Sequence, residues 1–439
     1  MNLNLLNEKI ENHTARIAVI GMGYVGFPLA LTLADVGFDV VGVDVKEKRV
    51  RSINKSENPI GGVEPDLQDL LERTVKAGAF HATIDYEDIK DREIVFINVE
   101  TPIDDNNKPN YTALRSALRS LGKVLPDGAL VIIESTIAPG TMQKVVLPEL
   151  MKSSEGVLNK NFFLGNCPER VMPGKLLKNI KTMDCVVGGA DEETSHTMAL
   201  LYQQFVNAEL DEVDWITAEL VKTVENTYRD VQIAFANEVA LLCEELGADV
   251  WRVRELVNKT PFRDLHRPGA GVGGHCIPKD SWLLANSVSN KKELRLIPTA
   301  RAINDAMPRH IFDMLKVGLQ HAGQELITAK ILILGYAYLE NSDDDRNSPT
   351  ADLVEFLEEN SIKYRIHDPH IDVYKGDIYQ MVDGCDALVV MTAHQEYVRL
   401  DLEVILQTMG AKVIIDGRAV FKDKMISSDH FYYTIGIGA

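Results

Sequence analysis

The chain has 439 residues, 45% of them apolar and 25% charged, with a formal net charge of −19. That is the make-up of a soluble globular protein of about two or three domains, and its acidity argues against a nucleic acid or an anionic membrane surface as partner. The five cysteines, at 167, 185, 243, 276 and 385, are odd in number, widely spaced and without a CxxC pair. Neither a disulfide framework nor a metal site is expected from them.

The opening stretch MNLNLLNEKIENHTAR is polar and lacks a signal peptide's apolar run, so a cytoplasmic location is expected. From Ala15 the sequence reads strand, glycine turn, helix, strand: RIAVIGMGYVG, FPLALTLADVG, FDVVGVDV. Further strand-like runs follow at IVFINVE (94–100), ALVIIEST (129–136), FFLGN (162–166) and CVVGG (185–189), with helical patterns between them. Such alternation predicts a mostly parallel sheet covered on both faces.

From about Asp214 to Gly247 a stretch without proline or internal glycine predicts one long helix, and helix-like sequence continues to about Ala322. At Lys330 the alternation returns with ILILGYAY, PTADLVEFLEEN, KYRIHDP, DALVVMT and KVIIDGR. The expected fold class is α/β, in three parts: a Rossmann-type domain over 1–212, a helical domain over 213–325 and a second α/β domain over 326–439.

Within the first part, Gly21-Met22-Gly23-Tyr24-Val25-Gly26 follows a strand and opens a helix, and Asp44 ends the second strand. Glycines there allow a tight turn and close approach of backbone amides to a pyrophosphate, while the helix N-terminus attracts its charge. Asp44 would accept hydrogen bonds from the adenosine ribose and repel a 2′-phosphate, which favours NAD over NADP. Thr101 and Thr136 follow strands and are placed to face such a cofactor. Glu169, in NCPER, also follows a strand. Its neighbour Cys167, like Cys243 in VALLCEEL, reads as packing.

On the long helix Lys222, Asn226, Ile233 and Asn237 share one arc, with Val224, Val231, Phe235 and Leu242 roughly opposite. Periodicity alone also permits Lys222 and Asn226 simply to face water. The stretch GAGVGGHCIPKD (269–280) puts Cys276 in a glycine-rich loop that solvent is expected to reach, where a thiol is either incidental or reactive.

Taken together, IAVIGMGYVG, STIAPGT, NCPER, ELVKTVENTYRDVQIAFANE, GAGVGGHCIPKD, ILILGYAY with DDDRNSP, and IIDGR resemble the UDP-glucose/GDP-mannose dehydrogenase family over nearly the whole chain. The resemblance implies a four-electron oxidation of a sugar C6 alcohol to a carboxylate, with two NAD molecules reduced in turn. It makes Cys276 the nucleophile that captures the aldehyde as a thiohemiacetal and then a thioester. Lys222 and Asn226 hold the C6 oxygen, Glu169 is the base for the hydrolytic water, Asp280 supports water and lysine, and Thr136 stands on the cofactor side. Burial beside apolar groups is expected to raise the Glu169 pKa. Arg170, Gly273, Arg346 and Arg418 fall at positions that meet the nucleotide sugar. The second α/β domain, whose first turn has a single glycine, takes the uridine nucleotide. The long helix is expected to form a homodimer core.

On the sugar, His275 is similar to the branch acting on UDP-N-acetylhexosamines, whereas Lys279 is closer to the UDP-glucose pattern and Leu339 stands where many members have lysine. UDP-N-acetyl-D-mannosamine is the expected substrate, with UDP-glucose, UDP-N-acetylglucosamine and UDP-N-acetylgalactosamine as alternatives. A two-electron β-hydroxyacid dehydrogenase would need neither Cys276 nor residues 330–439. A non-catalytic nucleotide sensor would not need Lys222, Asn226, Cys276 and Asp280 all intact.

Overall fold

Strand β1 (Arg16–Ile20) is buried along nearly its whole length because both its faces are covered. Ile17 and Val19 pack on one side with Phe27 and Phe96, while Ala18 and Ile20 pack on the other with Leu118 and Leu121. The structure is a computed structural model that describes residues 2–61, 64–172, 174–290, 293–424 and 430–438. The chain gathers into two compact units, one of residues 1–225 with 282–289 and the other of 226–281 with 290–439.

The first unit is built on an eight-stranded sheet. After β1 come β2 (Asp39–Val43), β3 (Phe80–Thr83), β4 (Ile94–Ile97), β5 (Ala129–Ile133), β6 (Phe162–Asn166), β7 (Cys185–Gly189) and β8 (Leu210–Asp214). Their order is β3-β2-β1-β4-β5-β6-β7-β8, and every pairing is parallel except β6 with β7. Chain order reverses between β1 and β4, and a ligand crevice forms beyond the strand ends at such a point. The glycine turn 21–26 lies there.

The second unit holds a parallel sheet of five strands: β9 (Lys330–Leu334), β10 (Lys363–His367), β11 (Ala387–Val390), β12 (Val413–Asp416) and β13 (Phe431–Thr434), in the order β10-β9-β11-β12-β13. Ile311, Phe312 and Leu315 of helix Leu296–His321 cover one face with Ile331 and Ile333. Leu332, Leu334, Tyr397 and Ile405 build the other. Both ends of the chain are therefore Rossmann-like, with a helical stretch between.

The long helix runs Trp215–Leu246, 32 residues. Its burial is inverted relative to an ordinary amphipathic helix. Ala218, Lys222, Thr223, Asp230 and Asn237 are buried, whereas Ile216, Leu220, Val224, Tyr228, Phe235 and Leu242 are exposed. Lys222, only 8% exposed, does not face water. Among the described residues no helix is long and apolar enough to cross a membrane.

Candidate active site

In the first unit the glycine turn is fixed by contact. Gly21 has φ +96°, and a Cβ on Gly26 would lie 2.0 Å from the Gly21 carbonyl oxygen, so helix Gly26–Asp35 can meet the strand only without a side chain. A Cβ on Gly23 would meet nothing within 4 Å, leaving an open cradle over the turn. Asp44, buried at the end of β2, accepts hydrogen bonds from Met22 N (2.9 Å), Lys46 N (2.8 Å) and Arg49 Nη1 (2.8 Å). A carboxylate has about four lone-pair positions, so one remains for a ribose hydroxyl. Cradle, helix terminus and carboxylate together fit a dinucleotide. Tyr24, in the turn, donates to the Gly61 carbonyl (3.0 Å).

The loops after β4, β5 and β6 are tied to one another. Thr101 Oγ1 donates to the Thr136 carbonyl (2.6 Å), and Ser135 Oγ to that of Val99 (2.6 Å). Glu219, one turn before Lys222 on the long helix, accepts from Gly140 N (2.6 Å) and Met142 N (2.7 Å), so it pins the end of the Thr136 loop. Burial pushes its carboxyl up to about 7 despite those two donors. Sequence reasoning passed over Glu219; its spacing three residues before Lys222 on one helix face was the available signal. Arg170 is held by the Asp184 carbonyl (2.6 Å) and by Glu225 (3.4 Å). Glu169 is half-buried, and its N–H donates to the Glu134 carbonyl (3.3 Å).

Glu134 also escaped notice, although it opens the stretch ESTIAPGT. Together with Cys167, Glu169, Arg170, Cys185 and Tyr202 it lines a cavity of about 40 Å³. Tyr202 donates to its Oε1 (2.5 Å). Burial pushes the Glu134 carboxyl up to about 8, against the lowering pull of Tyr202 and Asn98. With the folded value above the unfolded 4.5, the acid's contribution to stability is whole below the unfolded value. It is lost as pH rises through about 8. Glu134→Gln mimics the protonated acid, so its Tm should hold between about pH 5 and 9 where the parent's falls. Thermal melts across that range check this, and parallel declines would contradict it.

In the second unit Cys276 is the first residue of helix Cys276–Ala285 and the one exposed cysteine of the five. Peptide dipoles at a helix start favour negative charge. The glycine loop before it, by contrast, is not open to solvent: Gly269 to Gly271, Gly273 and Gly274 are all buried. A Cβ on Gly273 or Gly274 would lie 2.5 or 2.7 Å from the Tyr338 side chain, so these glycines serve close packing. Gly274 is also clamped on both sides, its N–H donating to the Arg346 carbonyl (2.9 Å) and its carbonyl accepting from Asn347 Nδ2 (3.0 Å). Burial lowers the His275 pKa, helped by Lys279 and Arg346, which keeps its imidazole neutral at neutral pH.

Asn226 Nδ2 donates to Asp280 Oδ2 (2.5 Å), and Lys279 Nζ lies 2.6 Å from Asp280 Oδ1. Asp280 is thus matched by its own neighbour in sequence as well as by the long helix. The Arg346 guanidinium is forked onto Asp344, with Nε–Oδ1 at 2.8 Å and Nη2–Oδ2 at 2.6 Å. Arg418 donates from Nε to the Met391 carbonyl (2.8 Å) and from Nη2 to that of Gly271 (3.2 Å). It therefore braces the start of the cysteine loop. Among the described residues no cluster of histidine, cysteine or carboxylate side chains is arranged to hold a metal ion.

Two Rossmann-like folds, one with a dinucleotide cradle, joined by helices that carry a buried lysine and an exposed cysteine, define an NAD-dependent oxidoreductase. Three family models identify it more closely. The NAD binding domain of the UDP-glucose/GDP-mannose dehydrogenase family matches residues 15–206, the central domain 216–306 and the UDP binding domain 332–423. The chain belongs to that family. A UDP-N-acetyl-D-mannosamine dehydrogenase of Pyrococcus horikoshii is 38% identical over 410 residues, 93% of this chain and 96% of its own. An NDP-N-acetyl-D-galactosaminuronic acid dehydrogenase of Ralstonia nicotianae is 32% identical over 438 residues, 96% of this chain and 100% of its own. The solved structure of a UDP-D-ManNAc dehydrogenase from P. horikoshii superposes with a TM-score of 0.91 at 37% identity, covering 96% of this chain and 99% of that one. The protein is a nucleotide-sugar dehydrogenase that uses NAD.

Proposed function

We propose that the protein oxidises the C6 alcohol of a UDP-N-acetylhexosamine, UDP-N-acetyl-D-mannosamine first among them, to the uronic acid through a covalent adduct on Cys276. The observation that carries this reading is the placement of Cys276, the exposed member of five cysteines, at a helix start beside the Asn226–Asp280 pair. The sugar is supported by the names of the relatives and by His275. The galactosaminuronic relative favours, as a second reading, a galacto-configured N-acetyl sugar.

NAD, when bound, would supply the hydride acceptor for two oxidations at C6, the first of the alcohol and the second of the cysteine adduct. The chain's own groups do the rest. Lys222 and Asn226 hold the C6 oxygen and stabilise its developing negative charge. The Cys276 thiolate adds to the aldehyde carbon, whose oxygen gains a proton, to give a thiohemiacetal. After the second oxidation the carbon is a thioester. Glu169 takes a proton from water as its oxygen adds there, with Thr136 and Asp280 orienting that water, and the C–S bond breaks to release carboxylate and thiolate. Per sugar, one water and two NAD are consumed, and two NADH and three protons are released.

In this reading residues 1–212 hold NAD, with Gly21, Gly23, Tyr24, Val25 and Gly26 around the pyrophosphate, Asp44 on the ribose and Thr101 beside Thr136. Residues 326–439 hold UDP. Arg346 meets the diphosphate by exchanging the Asp344 carboxylate for it, while Arg170, Arg418 and Gly273 line the sugar. The direct test is a panel of UDP- and GDP-sugars with NAD and NADP, followed by NADH absorbance and product mass. The reading expects two NADH per N-acetyl sugar consumed; one NADH per sugar would overturn it.

Residues 213–325 form the homodimer core. Ile216, Leu220, Val224, Tyr228, Phe235 and Leu242 make an exposed apolar stripe along the long helix, of the kind that marks an interface. Phe235→Glu should convert a dimer to a monomer at micromolar concentration in sedimentation velocity. An unchanged mass would remove this assignment.

A further inference from the structure

We infer that Asp230 is a positioning residue for the nucleophile: it anchors, through Ser281, the helix that Cys276 heads. Asp230 lies one turn beyond Asn226 on the long helix and is fully buried. Its Oδ2 accepts the Ser281 hydroxyl (2.8 Å), and its Oδ1 accepts Arg301 Nη1 (2.6 Å) and Asn304 Nδ2 (2.7 Å). Ser281 follows Asp280, which Asn226 holds at 2.5 Å. Two successive side chains on the cysteine helix are thus met by residues four apart on the long helix, like rungs of one ladder.

The other end of the loop is tied into the same lattice. Asn237, also fully buried, accepts from Gly269 N (2.9 Å) and donates to Asn304 Oδ1 (2.8 Å). Asn304 therefore links the bond that holds the loop at Gly269 to the bond that holds it at Ser281. Arg301, just 1% exposed, pairs its guanidinium with the equally buried Asp230 and also reaches Asp305.

Stability alone does not call for such a lattice, because well-packed apolar side chains of similar volume serve that purpose as well or better. What directional bonds add is register. They stop the cysteine helix from sliding or rolling along its neighbour, and Cys276 stands little more than one turn from Ser281, so any slip reaches the sulfur almost undiminished.

The inference rests on the covalent reading of Cys276, and the test keeps the two apart. Asp230→Asn removes the hub, leaves the buried Arg301 charge with Asp305 alone and risks misfolding, so Ser281→Ala, which removes one hydroxyl, is the decisive variant. In single turnover with sugar and NAD, Ser281→Ala should form the first NADH at close to the parent rate and the second roughly a hundred-fold more slowly, with KM for both substrates little changed. Alkylation of Cys276 by iodoacetamide, read by peptide mass, should change in rate, and Ser281→Thr should restore both properties. Equal slowing of the two NADH phases, or no slowing of either, would overturn the role of Asp230. A Cys276→Ser control that still makes both NADH equivalents would instead overturn the covalent reading.

Discussion

Cys276→Ser protein should bind NAD and the UDP-sugar with near-parent affinity yet make uronic acid at least about four orders of magnitude more slowly. A serine hydroxyl at neutral pH is almost wholly protonated, so it adds to an aldehyde poorly, and the ester it would form hydrolyses more slowly than a thioester. The alcohol-level step does not involve the sulfur. The variant should therefore show a first equivalent of NADH and stall before the second. Calorimetry for binding, and quench-flow with mass analysis of the sugar, check both halves of the expectation. Acid formation within ten-fold of the parent rate would eliminate the covalent route.

Two glycine substitutions in the cofactor turn should separate folding from binding. Gly26→Ala puts a methyl 2.0 Å from the Gly21 carbonyl oxygen and 2.9 Å from Asn98 Cβ. The first of these is main chain and cannot swing aside, so the helix must back away from β1. Tm should fall and KM for NAD should rise roughly ten-fold or more, a loss on the scale of a forced backbone shift. Gly23→Ala meets nothing within 4 Å, so it should leave Tm intact while its methyl occupies the space of the pyrophosphate and weakens NAD. If Gly23→Ala bound NAD normally, the cradle would not be the phosphate site.

The extent to which these features could be read from sequence varies with how local their causes are. The long helix was legible almost to the residue, because nothing within it breaks a helix and Gly247 follows its last turn, Leu246. Strands β6 and β7 were legible as continuous apolar or glycine runs bounded by polar residues. Strands β3, β8 and β13 were not. β8, LDEVD, is an acidic edge strand from which Leu210 packs on the core, so it carries little apolar pattern. The antiparallel pairing of β6 with β7 is likewise a property of the folded chain rather than of either segment.

Cys276 is exposed as its loop suggests, but the glycines before it are buried for a physical reason. Glycines are read as freedom, but here their missing side chains admit Tyr338, Pro349 and Arg418 into contact with the backbone. Asp230 and Arg301 show the deeper limit. A charge on a helix reads as solvated until the element packed against it is known, and the Asp230–Arg301 pair joins positions 71 residues apart. Glu134 and Glu219 are hidden in the same way, each serving backbone amides or a hydroxyl contributed by segments distant in sequence.

The hydrogen bonds that join Gly274 to Arg346 and Asn347 carry a lesson for re-engineering this enzyme. A chimera that borrows its carboxy-terminal third from a relative, in order to accept another nucleotide or sugar, would import a foreign partner for the peptide two residues before the nucleophile. Such a graft should recover turnover only when residues 269–276 travel with it. Recognition and reactivity are here inherited as a single module.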